Sequence, residues 1–275
     1  MKKVFISADI EGVTGVTAWC ETLPGQNGYE AAARQMTEEV KAACEAAIEL
    51  GYRVVVKDGH DAARNIDISA LPERVELIRG WRTSPEAMMG GLDESFDAAI
   101  YIGYHAAEGT NGSPLAHTVE HEWFDWVKLN GSIASEFTFN ALYAESLGVP
   151  SIFISGDDCA CKDAEKDYPG IATVATKKGT GNSTWNLHPN TSIRMIHDGV
   201  KEALSALEKE DKKDRSWKLL NDSKGYHLVM CFKEHQKARA ASWYPGAKVI
   251  DAKTIAFDAK TVWELLVAKM YMTEI

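Results

Sequence analysis

The sequence predicts an α/β fold: a mostly parallel sheet with helices on both faces, plus a smaller C-terminal α+β lobe. Three observations predict it. Residues 3–9, 52–57 and 98–104 are short apolar runs of the kind that form buried strands. Between the first two, Met36, Val40, Ala43, Ala47 and Leu50 recur at helical spacing. A strand, a long helix and a strand make a right-handed crossover unit and so a parallel pair. Further along, the same alternation of short apolar runs and helical patterns continues.

Taken in order, residues 3–9 (KVFISAD) are the first strand, and residues 29–50 the long helix, with Gly51 as its natural stop. Residues 52–57 (YRVVVK) are the second strand, 75–79 a short third, and 98–104 (AAIYIGY) the most apolar. Residues 125–129 form another, followed by a turn at Asn130-Gly131. A helix over 133–147 ends at Gly148-Val149-Pro150. Then come a strand at 151–155, a short helix at 158–166, a strand at 171–176 and a helix at 191–207 capped by Asn190 or Thr191. The run 208–215 (EKEDKKDR) reads as a solvated helix end and linker. It divides an α/β catalytic domain, 1–207, from a smaller lobe, 216–275. That lobe has strands at 227–232, 248–250 and 254–257 and a helix at 260–271.

Composition bounds the function. A chain of 275 residues is near the upper limit for one core, and 45% hydrophobic with 25% charged residues is ordinary globular material. The net charge of −10 repels nucleic acid and anionic membrane surfaces, so neither is an expected partner. No apolar run reaches the length of a membrane span. The N-terminal apolar stretch stops at Ser7 and meets Asp9 and Glu11, which leaves no signal-peptide core; a cytoplasmic protein is expected. Five scattered cysteines make no disulfide framework, and Cys159-x-Cys161 reads as two small residues opening a helix.

The chemistry-bearing residues gather at predicted strand ends. Asp9-Ile10-Glu11-Gly12 follows the first strand, and spacing of two in extended chain puts both carboxylates on one face. The second strand runs into Asp58-Gly59-His60, and the strand 98–104 into His105. In open α/β sheets, ligands bind at that edge. Glu136, early in the following helix, is placed to face the same crevice. Carboxylates with imidazoles suit a pair of divalent transition ions such as zinc. His117 and His121 lie in the loop after His105; either is available for acid–base work, and His121 is expected at the surface. Taken singly, each of these residues also has a structural role open to it. Lys178 to Thr184 has the glycines of a phosphate loop but lacks its Gly-Lys-Ser/Thr ending.

These stretches are similar to a known family. Ser7-Ala8-Asp9-Ile10-Glu11-Gly12, Met36-Thr37-Glu38-Glu39, Asp58-Gly59-His60, Gly91-Leu92-Asp93, Gly103-Tyr104-His105-Ala106, Gly156-Asp157-Asp158 and Met272-Thr273-Glu274 resemble, in order, the motifs of the zinc-dependent D-aminopeptidase (DppA) family. The resemblance implies two zinc ions per subunit, with Asp9 bridging and Glu11, His60, His105 and Glu136 as the other ligands. It puts His117 at the position of the family's catalytic histidine. It also implies release of N-terminal residues, D-amino acids among them, from short peptides. A homo-oligomer, a decamer of stacked rings, is implied as well. The chain departs from the family pattern at Ala116, before His117, and at Ser135 and Phe137, beside Glu136.

Two alternatives remain at this point. Asp9-x-Glu11-Gly12 and Asp157-Asp158 come near the motifs of a magnesium-dependent haloacid-dehalogenase-type phosphatase, with glutamate in place of its second aspartate. A non-catalytic metal-binding ring protein is the other.

Overall fold

The computed structural model describes residues 2–209 and 225–273. The first half builds the main sheet. β1 (Lys3–Ala8) leads through a loop to α1 (Tyr29–Glu49), which stops where Leu50 and a left-handed Gly51 (φ +83°) end the turn. β2 (Arg53–Asp58) returns parallel to β1, and β3 (Val75–Ile78) adds outside it. β4 (Ala98–Tyr104) then pairs with the other side of β1. Alternate residues divide the faces. Val4, Ile6, Val54, Ile100 and Ile102 pack under α1, while Phe5, Val55, Ala99 and Tyr101 face the opposite side.

Next, β5 (Phe124–Leu129) and β6 (Ser132–Ile133) form a short hairpin through Asn130-Gly131 and leave the main sheet. α2 (Glu136–Ser146) follows, starting three residues later than the pattern predicts because Ser132 and Ile133 pair with β5 and Ser135 caps the helix. It is apolar nearly all round because it is covered on two sides. Phe137, Ala141 and Ala144 pack on the main sheet, and Phe139 and Leu142 on the second.

β7 (Ser151–Asp157), α3 (Asp158–Asp167), β8 (Ala172–Thr180) and β9 (Ser183–Asn186) complete the main sheet. Its order is β3-β2-β1-β4-β7-β8-β9, parallel except for the β8–β9 hairpin, which is what the glycine-rich run at 178–184 forms. Cys159 and Cys161 lie in the first turn of α3, and all five cysteines are free thiols. α4 (Pro189–Leu207) packs against α1. Its cap is His188 rather than Asn190 or Thr191: the imidazole Nδ1 accepts from the Asn190 N–H at 3.2 Å, and Pro189 fills the first helical position.

Residues 210–215 of the expected linker lie outside the described residues. β10 (Tyr226–Phe232), α5 (His235–Ala241), β11 (Lys248–Val249), β12 (Thr254–Ala259) and α6 (Val262–Thr273) follow. β10 pairs antiparallel with β5, so the second sheet, in order β11-β12-β10-β5-β6, takes strands from both sides of that linker. No helix among the described residues is long and apolar enough to cross a membrane.

Candidate metal centre

In the main sheet the strand order reverses between β1 and β4, and there the crevice opens beyond the strands' carboxyl ends. Asp9 and Glu11 follow β1, His60 follows β2 and His105 follows β4. The loop after His105 brings in His117, and α2 delivers Glu136 from its first position. Ser135 fixes that start: its hydroxyl accepts from the Thr138 N–H at 3.2 Å. All six residues predicted from the sequence meet in one cluster, none more than 8% exposed.

The contacts run in a chain. His60 Nδ1 lies 3.0 Å from a Glu11 carboxylate oxygen and 3.4 Å from Asp9 Oδ1. The other Asp9 oxygen lies 3.3 Å from His105 Nε2, which is 3.5 Å from Glu136. His117 Nε2 lies 3.4 Å from the second Glu136 oxygen. Asp9 therefore turns one oxygen to each of two histidines.

The far side of each ring decides what the near side offers. His60 Nε2 is 2.9 Å from the Thr22 carbonyl, His105 Nδ1 is 3.0 Å from that of Ala106, and His117 Nδ1 is 2.9 Å from that of Leu115. A carbonyl only accepts, so each of these nitrogens carries the proton. A neutral ring then presents a lone pair to the carboxylates, and lone pairs facing carboxylates repel unless a cation sits between them. Asp9 Oδ2, Glu11 Oε2 and His105 Nε2 are buried without a hydrogen-bond partner.

Electrostatics give the same demand for positive charge. Burial works against ionised Asp9 and Glu136. The histidines facing them outweigh it, holding Asp9 well below the usual carboxylate range and lowering Glu136. Burial also disfavours charged His60 and His105, yet the carboxylates around them push both well above the ordinary histidine value. Ligand atoms of Asp9, Glu11 and His105 lie within 4.8 Å of one another, as do those of His105, His117 and Glu136. Two metal-sized sets thus share His105.

Neighbouring groups hold the frame. Asp157 spends both carboxylate oxygens on main chain, accepting from Ala106 N at 2.7 Å and Ala160 N at 2.9 Å. It orders the His105 segment and caps α3, a main-chain role that accounts for both of its oxygens. Three further histidines have structural partners: His197 bonds Asp198 and Glu49, His227 bonds Asp258, and His188 caps α4.

A family model described as D-aminopeptidase matches residues 1–270. The chain belongs to the D-aminopeptidase family. It is 30% identical to the D-aminopeptidase of Bacillus subtilis (strain 168) over 280 residues, 99% of this chain and 97% of that protein. Its fold is similar to the solved structure of the zinc-dependent D-aminopeptidase DppA from Bacillus subtilis, described as a self-compartmentalizing protease. The TM-score is 0.89 at 29% identity, with 99% and 97% of the two chains covered. As a D-aminopeptidase family member, the chain is a peptidase, a hydrolase of peptide bonds.

The cluster opens into a cavity of about 360 Å³. Several of its walls escaped sequence reasoning in this D-aminopeptidase family chain. Trp19, from the loop after β1, meets the His117 ring edge-on at 5.2 Å and stacks on His121 at 4.0 Å. His121 is thus half-buried against a cavity wall rather than free at the surface. Asn140, one turn beyond Glu136 on α2, also lines it and donates to the Tyr104 hydroxyl at 2.9 Å. Of these, Asn140 alone had a local signal, its spacing of four from Glu136.

Proposed function

We propose that this chain is a dinuclear-zinc aminopeptidase that releases N-terminal residues, D-amino acids among them, from short peptides. The observation that carries the reading is the set of three imidazoles, each tied by one N–H to a main-chain carbonyl and each turning its other nitrogen to a carboxylate. Three carboxylates in one buried cluster exceed the charge that one divalent cation compensates, which favours a pair. Asp9 would bridge, with His60 and Glu11 on one side and His105 and Glu136 on the other. Such a zinc pair, when bound, polarises a scissile carbonyl and lowers the pKa of water.

The chain's own residues do the rest. Glu136 is oriented by the Val119 N–H, which donates to it at 2.8 Å. His117 keeps its Nδ1 proton on the Leu115 carbonyl, leaving Nε2 to take a proton and pass it to the leaving amine. The cavity volume admits a short peptide and not a folded chain. The self-compartmentalizing description of the Bacillus subtilis structure fits an oligomer, and a decamer of stacked rings is the form we propose. No observation favours a phosphatase.

Metal analysis of purified, unchelated protein tests the reading. About two zinc ions per chain with hydrolysis of short D-peptides is the expected result. Magnesium alone, with phosphatase activity, would overturn it.

A further inference from the structure

The strand order β3-β2-β1-β4 sets a direction across the cavity. At the β4 end stands His117, from the loop after that strand, with Trp19 beside it. At the β2 end stands His60, 3.0 Å from Glu11. Around His60 the lining is apolar. Leu23 comes from the loop after β1, and Trp81 and Met88 come from the segment after β3.

Each of the three is fixed close to His60. The Thr22 carbonyl takes the His60 Nε2 proton at 2.9 Å, which places Leu23 one residue on. Gly59, next to His60, packs so closely on Met88 that an added Cβ would lie 3.2 Å from the Met88 Cβ and Cε atoms. Trp81 follows Gly80, whose carbonyl accepts from the buried Lys57 ammonium at 3.1 Å. That ammonium also donates to the Asp58 carbonyl at 2.6 Å and lies 5.5 Å from the centre of the Trp81 ring. β2 thus anchors the indole through a residue just before His60. Even so, Trp81 is 39% and Leu23 42% exposed. Large apolar side chains held exposed in a concave site mark a surface for an apolar ligand group.

We infer that Leu23, Trp81 and Met88 form the subsite for the side chain of the substrate's N-terminal residue, and that they select a large apolar one, the size of leucine or phenylalanine. This rests on the aminopeptidase reading of the same cavity. His117 hands its proton to the leaving amine, so the leaving part of the peptide lies at the β4 end. The residue that is released lies at the β2 end, its side chain against Trp81 and Leu23. A leucyl or phenylalanyl group covers apolar surface there that an alanyl group leaves in water. The three residues then set specificity without touching the reacting atoms.

The test sets D-leucyl-glycine against D-alanyl-glycine on the zinc-loaded protein and on its Trp81→Ala and Leu23→Ala variants. The leaving group is the same in both peptides, and only the released residue changes. The wild type should favour the leucyl peptide by about tenfold to a hundredfold in kcat/KM. Either variant should raise KM for the leucyl peptide and leave zinc content and the alanyl peptide's kcat and KM unchanged. D-alanyl-L-leucine, with the large side chain on the leaving residue, should gain no such advantage over D-alanyl-glycine. A wild type that treats the leucyl and alanyl peptides alike overturns the proposal, whether or not the variants fold. So does an advantage that follows leucine at the second position, or a pair of variants impaired equally on both peptides. Should none of the three peptides be hydrolysed, the peptidase reading has failed, and their calorimetric Kd values decide on the subsite by the same ratios.

Discussion

His105 and His117 lie face to face, ring centroids 4.1 Å apart and planes 8° from parallel, with both Nε2 atoms on the same Glu136 carboxylate. Each ring is pinned behind by its Nδ1 proton on a main-chain carbonyl. Neither can turn away without breaking that bond, so two ring nitrogens face Glu136 at fixed positions. The two histidines nonetheless differ. His105 faces both Asp9 and Glu136, whereas His117 faces Glu136 alone of these carboxylates and stands beside Trp19. That asymmetry suits a metal ligand paired with a proton carrier.

His117→Ala should therefore lower kcat by roughly a hundredfold or more, the usual scale for a positioned acid–base group, with zinc content unchanged. Zinc per chain is read by plasma mass spectrometry beside the turnover assay. Unchanged turnover would remove His117 from the chemistry. A parallel loss of zinc would make it a ligand.

The metal-free protein should respond to pH in a direction the cluster fixes. His60 and His105 are pushed above the unfolded value of 6.5 by the carboxylates, which outweigh burial. Their contribution to stability is fully present below 6.5 and is lost as pH rises through the raised folded values. Asp9 is depressed, so its contribution is present above 3.8 and lost only as pH falls through its lowered folded value. Metal-free protein should thus lose Tm as pH rises above 6.5 and through the raised folded values of His60 and His105. Added zinc, which needs the imidazoles unprotonated, should restore more at the higher pH. A zinc-induced Tm gain that does not vary with pH would contradict this account.

Much of this was legible in the sequence for a physical reason. Asp9, His60 and His105 each end an apolar run that is hard to read as anything but a buried strand, and parallel strands bring their carboxyl ends to one edge. Glu136 was legible because a helix start was, although Ser135 rather than the apolar pattern sets it. Other features had no local signal. β9 is a short polar strand, and α5 has only seven residues, too few to show a period. The pairing of β5 with β10 joins distant segments, and the approach of Trp19 and Lys269 to the cavity depends on tertiary packing alone.

Gly103→Ala should be severely destabilising, by about 3 kcal/mol or more. The residue has φ +75°, and a Cβ there would lie 2.2 Å from the Asp9 carbonyl oxygen. The approach is needed. Asp9 N–H donates to the Ile102 carbonyl and Gly12 N–H to that of Gly103, both at 2.8 Å, drawing the ends of β1 and β4 together. Asp9 and His105 meet because of that closeness. Urea denaturation and zinc content measure both consequences, and a variant of wild-type stability would show that the strand ends have room to part.

Lys177 makes the last prediction. It is 3% exposed, and its ammonium donates to the carbonyls of Glu11 and Val16, while the Thr176 hydroxyl donates to that of Gly12 at 2.7 Å. Strand β8 thus clamps the loop that carries Glu11. Burial brings the lysine down to about 8, against 10.5 in the unfolded chain, despite the acids around it. Below about 8 both states are protonated and the folded protein bears the full cost of a buried charge. Between about 8 and 10.5 the unfolded chain binds more protons, so stability from this group rises with pH. Lys177→Met removes both the clamp and the titration. Each lost charge-assisted bond costs about 1.5–3 kcal/mol, offset in part by relief of the buried charge. Zinc affinity should fall because Glu11 is no longer held. The stability advantage of wild type over variant should widen from about pH 8 to about pH 10 in paired urea denaturation curves. A difference that is flat across that range would mean the lysine keeps its ordinary affinity for the proton, and the clamp would then act through geometry alone.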